Sequence, residues 1–492
     1  MPVETLKRIG EAVCSDYLGF APTSNATKPP HIANGLFRAC SGETCNTADI
    51  HEWVVCDEKK NAVSTDKIIE KYSDILELDN LEKVSNIKEF RFMLNKIFNQ
   101  DNSVYPSYDF SVMTISSHWL LKKRVNAEAN IGDFIFEILS KKIDGKRSPA
   151  LEVIKRALSC DTDDMTKLIK PIITFKPEET KREINEIDYL DNNAVRWDDC
   201  KQIIRKGFDQ LSNNINLIAE NRNSLLVLRR MVNFAVFSTL LYLIQANSAT
   251  FRKKRVPIVM DAGSNMDSIK KASEQSFTAA KKSVEDYYVN AIYEIINGEI
   301  SRNNISSCNK WIQDMVFSTE EREKEQKQAI QSYFNSFCDD GDKPIMALAK
   351  AIQIALYTFI YKNNSPSDFC RVLGVRSGLV GPRGNRAKIK RYIVNSFTLE
   401  TITLSVLSEN DLCEGIELKE LSEKLFENYN ILIGADSDKD YAILSDTNIT
   451  QSTPGDLRGD LSINAQLLAN KFISLGLGKR YADGVTLIGW RI

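Results

Sequence analysis

The chain has 492 residues, with 64 Lys and Arg against 66 Asp and Glu for a formal net charge of -2, and 43% apolar and 26% charged residues. Near-neutral charge excludes a protein that is basic all over, so any contact with a polyanion must be local. The apolar and charged fractions are those of folded chains and exclude wholesale disorder. At roughly 100 to 200 residues per domain, the length predicts about three or four folding units.

Residues 1–60 form the first expected segment. Pro22, Pro29, Pro30, Gly35 and Gly42 interrupt any period, and only Glu52 to Cys56 reads as a short strand. The opening MPVETLKRIGEAVCSDYLGF lacks the apolar core of a secretory signal, so a cytoplasmic location is expected. Residues 61–192 read as a helical domain. STDKIIEKYSDILEL carries Ser64 and Thr65 as caps and an Ile68, Ile69, Tyr72, Ile75 stripe, and NIKEFRFMLNKIF, NIGDFIFEILSKKI and PALEVIKRAL repeat the pattern.

Residues 193–365 read as a helical core domain. MVNFAVFSTLLYLI, Met231 to Ile244, falls short of the ~18 residues of a membrane span and predicts a helix buried in protein, with no membrane contact. VPIVMDAG reads as a short buried strand or extended connection, followed by a helix from about Met266 to Ile296. In residues 366–492, SFTLETITLSVL, ELKELSEKLFENYN and LSINAQLLANKFISLG read as three amphipathic helices. KRYADGVTLIGW follows as two extended runs about an Asp-Gly turn. Three helices followed by a hairpin is the order of a winged helix, so the expected class is a mostly α, multi-domain helical protein with a C-terminal winged-helix-like module.

Charge is concentrated just ahead of that module. RVLGVRSGLVGPRGNRAKIKR, Arg371 to Arg391, holds seven basic residues, four glycines and no acid. Glycine lets the backbone approach a phosphate, and Lys or Arg neutralises it. Arg376, Arg383, Arg386, Lys388, Lys390 and Arg391, with Lys479 and Arg480 of the hairpin, are therefore the expected nucleic-acid contacts. The alternatives are a solvated connector or a protein dock. The shorter runs Lys122 to Arg124 and Arg252 to Arg255 extend a positive track or merely close helices in solvent.

Cys40, Cys45, His51 and Cys56 are spaced as C-x4-C-x5-H-x4-C. Three thiolates and an imidazole suit a structural zinc site, against the alternative of buried cysteines in a docked arm. Catalytic patterns are thin. Asp411, Glu417 and Lys419 imitate a nuclease D…E-x-K, but the E-x-K opens a helix. Asp436, Asp438 and Asp440 start like an EF-hand loop, but Tyr441 stands where the turn glycine belongs. No P-loop or nucleophile-elbow pattern occurs, so no catalytic residue is assigned.

RSGLVGPRGNRAKIKRYIVNSFTLETITLSVL and LANKFISLGLGKRYADGVTLIGW, with VPIVMDAGSN, resemble the accessory, non-ATPase subunits of bacterial anti-phage defence and modification-dependent restriction systems over roughly residues 225–492. The resemblance implies a defence role beside a partner ATPase or helicase and transfers no catalytic residue. The expected function is a non-enzymatic subunit that binds duplex DNA or scaffolds such a complex. A metal-dependent nuclease subunit and a purely structural scaffold without nucleic-acid contact are the alternatives.

Overall fold

The computed structural model describes residues 5–23, 26–45, 52–53, 63–76, 83–98, 126–159, 175–177, 197–217, 223–263, 265–315, 320–362, 364–383, 389–450, 454–482 and 484–489. It is mostly helical. In chain order the helices are α1 (Leu6–Ala12), α2 (Pro29–Ser41), α3 (Thr65–Lys71), α4 (Lys83–Phe98), α5 (Ile131–Ser140), α6 (Pro149–Leu158), α7 (Asp199–Leu217), α8 (Ser224–Phe251) and α9 (Asp267–Asn297). They continue as α10 (Ile305–Asp314), α11 (Glu320–Asp339), α12 (Pro344–Ala355), α13 (Pro366–Ser377), α14 (Ser396–Leu404), α15 (Glu409–Glu414), α16 (Leu418–Tyr429), α17 (Ser437–Asp446) and α18 (Pro454–Ser474). The strands are short: β1 (Glu43–Cys45), β2 (Phe175–Pro177), β3 (Ile258–Val259), β4 (Val380–Gly381), β5 (Arg391–Tyr392), β6 (Ile416–Glu417), β7 (Ile431–Leu432), β8 (Gly478–Arg480) and β9 (Thr486–Ile488).

Two compact units form, both discontinuous in sequence: residues 1–26, 189–207 and 237–492 in the larger, residues 27–188 and 208–236 in the smaller. In the smaller unit α2 and α5 approach at Gly35 and Gly132, where a Cβ on Gly132 would overlap the backbone of Gly35 and Leu36. That closeness lets the buried Arg38 fork onto Glu128, Nη2 to Oε2 at 2.6 Å and Nη1 to Oε1 at 3.0 Å. A guanidinium and a carboxylate can leave water here because each satisfies the other. Trp53 is buried against Tyr72 and Phe90, ring centroids 5.2 and 5.7 Å away. Glu52 and Trp53 are helical, whereas the sequence suggested a strand there.

The larger unit is organised around one short extended segment. β3 runs parallel to β7, with Ile258 N donating to Asn430 O at 2.8 Å and Met260 N to Leu432 O at 3.0 Å. Beyond β3, Asp261 N donates to Tyr392 O at 2.9 Å, joining the segment to the antiparallel β4–β5 hairpin. Two strand residues leave polar groups that no sheet neighbour meets, and α9 supplies them. Ser273 Oγ donates to Val259 O (2.7 Å) and accepts from Tyr392 N (2.9 Å), while Ser276 Oγ donates to Pro257 O (2.6 Å). Serine costs a helix interior little when the alternative is an orphaned buried backbone group. Around this segment Val259, Ile269, Ala272, Leu432, Leu444, Leu457 and Leu461 make a continuous apolar core.

The sheet that closes the unit is antiparallel in the order β6-β9-β8, with Ile416 opposite Ile488 and Lys479 opposite Leu487. The two runs read as extended around Ala482-Asp483-Gly484 pair as β8 and β9, and Gly484 takes φ +88. α15 precedes β6, α16 follows it directly, and α18 leads into β8. α8 is long and apolar enough to cross a membrane by length and composition, and 94% of its most apolar window is buried in protein.

Candidate nucleic-acid interface

Part of the basic stretch is helix, not loop. Arg371 and Arg376 belong to α13, which ends at Gly378 in the left-handed region (φ +74). The chain then reverses through β4, Pro382 and β5. In the connection Arg383 and Ile389 are exposed, Ile389 by 63%, while Arg386 and Lys388 lie outside the described residues. Lys390 turns inward. Its side chain is buried, Nζ donates to Pro382 O at 2.6 Å, and burial, with Arg371 nearby, lowers its pKa. Its charge steadies the turn.

Arg391 is held by an acid that the sequence did not single out. Asp261 has a carboxylate with no exposed surface. Oδ2 accepts from Arg391 Nε at 2.7 Å, and Oδ1 accepts from Gly263 N at 2.8 Å. The Nε edge of the guanidinium is thus fixed, and neither Nη group has an acceptor among the described residues. Lys471 of α18 stands beside the same turn, its Nζ 4.0 Å from where a Cβ on Gly263 would lie. Burial lowers the Lys471 pKa, and Asp261 opposes that shift. Gly263, at φ +82, both permits the turn and leaves room for the ammonium.

α18 is locked to this place by Asn464. Its Nδ2 donates to Met260 O (2.9 Å) and Ile433 O (3.0 Å), and its Oδ1 accepts from Ala262 N (2.9 Å), so one buried amide satisfies three backbone groups. The base of the basic hairpin, the 258–263 segment and the middle of α18 are therefore one hydrogen-bonded assembly. At the far end of α18, Arg480 Nη2 donates to Asn470 Oδ1 at 2.9 Å, tying the β8–β9 hairpin to the same helix. Lys479 and Arg480 are exposed, and Lys479 Nζ lies 5.2 Å from the Tyr481 ring centroid. Arg376 is half-buried on α13.

The remaining candidates separate. Cys40 is buried on α2, where desolvation pushes its thiol up to about 12 against the pull of Lys155. Cys45 ends β1, and His51 and Cys56 lie outside the described residues, as do Lys122 to Arg124. Among the described residues no group of three or more His, Cys, Asp or Glu side chains gathers as a metal site would require. Asp411 is a capping-box residue paired with Lys424 at 2.9 Å, Lys419 pairs with Asp436 at 3.0 Å, and Glu417 caps α16. The nuclease-like triad is thus spent on helix ends. Asp436 caps α17 by accepting from Lys439 N, and Asp440 turns into the core.

Asp261, Asn464 and Lys471 escaped sequence reasoning. One Asp after an apolar strand, and one Asn and one Lys in an amphipathic helix, carry no local mark of meeting over 200 residues of chain. No protein-family model matches the chain, and no curated protein or solved structure matches it either.

Proposed function

We propose that the chain is a non-enzymatic duplex-DNA-binding subunit whose β4–β5 hairpin and C-terminal module hold the phosphate backbone. The observation that carries the reading is Arg391, oriented through Nε by the buried carboxylate of Asp261, with neither Nη group taken by an acceptor among the described residues, beside the half-buried ammonium of Lys471. A guanidinium fixed at one edge and a nearby lysine form a preorganised phosphate contact. The β6-β9-β8 order, with α16 and α18 packed on it and the short α15 standing just before β6 where the sequence read a turn, supports a winged-helix-like module in which α15 rather than α14 is the first helix, α17 and β7 are inserted, α18 takes the place of the recognition helix and β8–β9 is the wing. The resemblance to defence accessory subunits supports an assembly that also contains an ATPase or helicase.

The test is duplex binding by the full chain at low and moderate salt, with Arg391→Lys, Lys471→Ala, Arg383→Ala and Lys479→Ala compared with the parent. Arg391→Lys keeps charge beside Asp261 while removing the fork. Each variant that loses a phosphate contact weakens binding across sequences and flattens the log K against log salt slope by about 1. Binding that is absent in the parent, or unaltered in all four variants, replaces this reading with that of a protein scaffold.

A further inference from the structure

On the larger unit, the basic run 252–255 and the facing parts of α16 and α17 enclose an open groove of about 670 Å³, lined by Lys254, Arg255, Pro257, Phe426, Lys439 and Ile443 among others. Its floor is apolar. Pro257 is buried, and the half-buried Phe426 and Ile443 pack from beneath on the core cluster of Val259, Leu432 and Leu444. Its walls are cationic. Lys254 and Lys439 are exposed, Arg252 and Lys253 stand exposed beside them, and Arg255 is half-buried. Arg255 is anchored: Nη1 donates to Glu427 O at 3.2 Å and Nη2 to Asn428 O at 3.5 Å, at the C-terminal end of α16.

Two carboxylates touch these cations, Asp446 at 3.0 Å from Lys254 and Glu423 at 3.8 Å from Lys439. The first pair is about three-quarters exposed on both sides and the second nearly half. Exposed pairs of this kind are worth about 0–1 kcal/mol, so an incoming carboxylate displaces them at little cost.

We infer that this groove docks an acidic segment of a partner protein, with one or two apolar side chains on the floor and flanking carboxylates on the Lys254, Arg255 and Lys439 walls. A phosphate backbone would satisfy the walls but has no apolar side chain for the floor. A small molecule needs enclosure on most of its surface, which an open groove does not provide. An acidic peptide with an apolar anchor meets both, with charge setting orientation and the anchor supplying affinity. None of the lining residues belongs to the β4–β5 or β8–β9 hairpins, so this site and the proposed DNA contact stand or fall separately.

A displayed random-peptide library panned on the full chain tests the inference, followed by anisotropy titration of a recovered peptide. Recovered sequences are expected to share Asp or Glu around Leu or Phe. Affinity should fall at least about tenfold on Ala442→Glu and on Lys439→Glu, and by a similar factor when the peptide's apolar residue becomes Ser. Ala442 and Lys439 are exposed on α17 and glutamate is a good helix former, so both variants keep the fold. The inference is overturned by no enrichment over a library panned on Ala442→Glu, by recovered peptides without acidic residues, or by displacement of the peptide by duplex DNA.

Discussion

Asp261 is buried with a guanidinium partner 130 residues away along the chain. Its ion pair with Arg391 is stable because hydrogen bonds occupy both carboxylate oxygens, and half of it cannot be removed cheaply. Arg391→Ala is expected to cost about 3–5 kcal/mol in denaturant unfolding, whereas Arg391→Lys costs less, because the first takes the guanidinium away from a buried carboxylate. Loss of DNA binding in Arg391→Ala would therefore say nothing about phosphate, which is why the lysine variant is the one to titrate. Asp440 is the opposite case. Desolvation raises its pKa from 3.8 to about 6, against the hydrogen bond from Gly434 N, with Asp436 adding to the rise and Lys439 opposing it. The folded state therefore binds the proton more tightly than the unfolded state. Stability is greatest below the unfolded value and is lost as pH rises from about 4 to about 6, by roughly 3 kcal/mol at about 1.4 kcal/mol per pH unit. Asp440→Asn keeps an acceptor for Gly434 N and should flatten that slope, read as unfolding midpoints across this pH range. Asp436, Asp438 and Asp440 form a visible run in the sequence, but which one points inward depends on the packing of α17.

At the scale of elements, local signals carried far. Ser64 caps α3, Ser148 caps α6 with Pro149 at its first position, and Asn304 caps α10, each accepting from a first-turn N–H. The apolar run at Met231 to Ile244 lies inside the buried α8. Where the local signal failed, a neighbour was responsible. Arg371 to Ser377 looks like loop because it opens a glycine-punctuated stretch, yet α13 runs through Gly374, where a Cβ would meet the Val380 side chain at 2.6 Å. That glycine marks a close approach of helix to strand. Gly434 has the same meaning. At φ +93 it passes under α18, and a Cβ there would overlap the carbonyl oxygen of Leu461. Gly434→Ala combines left-handed strain with a backbone clash and should cost more than about 1 kcal/mol, seen as a lower denaturant midpoint. A midpoint equal to the parent's would mean that α18 does not sit so tightly on β7.

For the molecule as a whole, a net charge of -2 makes salt-sensitive binding a property of patches rather than of the surface at large. The two-unit division passes through α7 and α8, each of which contributes residues to both units. Composition and periodicity by themselves determined a mostly helical chain, the positions of most long helices and the C-terminal hairpin, because these depend on contacts within a few residues along the chain. The tertiary structure alone decided that Asp261 orients Arg391, that Asn464 binds α18 to the 258–263 segment, that the last sheet is ordered β6-β9-β8, and that an apolar floor lies between cationic walls at 252–255 and α17. Each joins residues tens to hundreds of positions apart, and a partner at that distance is chosen by the burial and hydrogen-bond demands of the assembled core, which leave no periodic trace in the sequence.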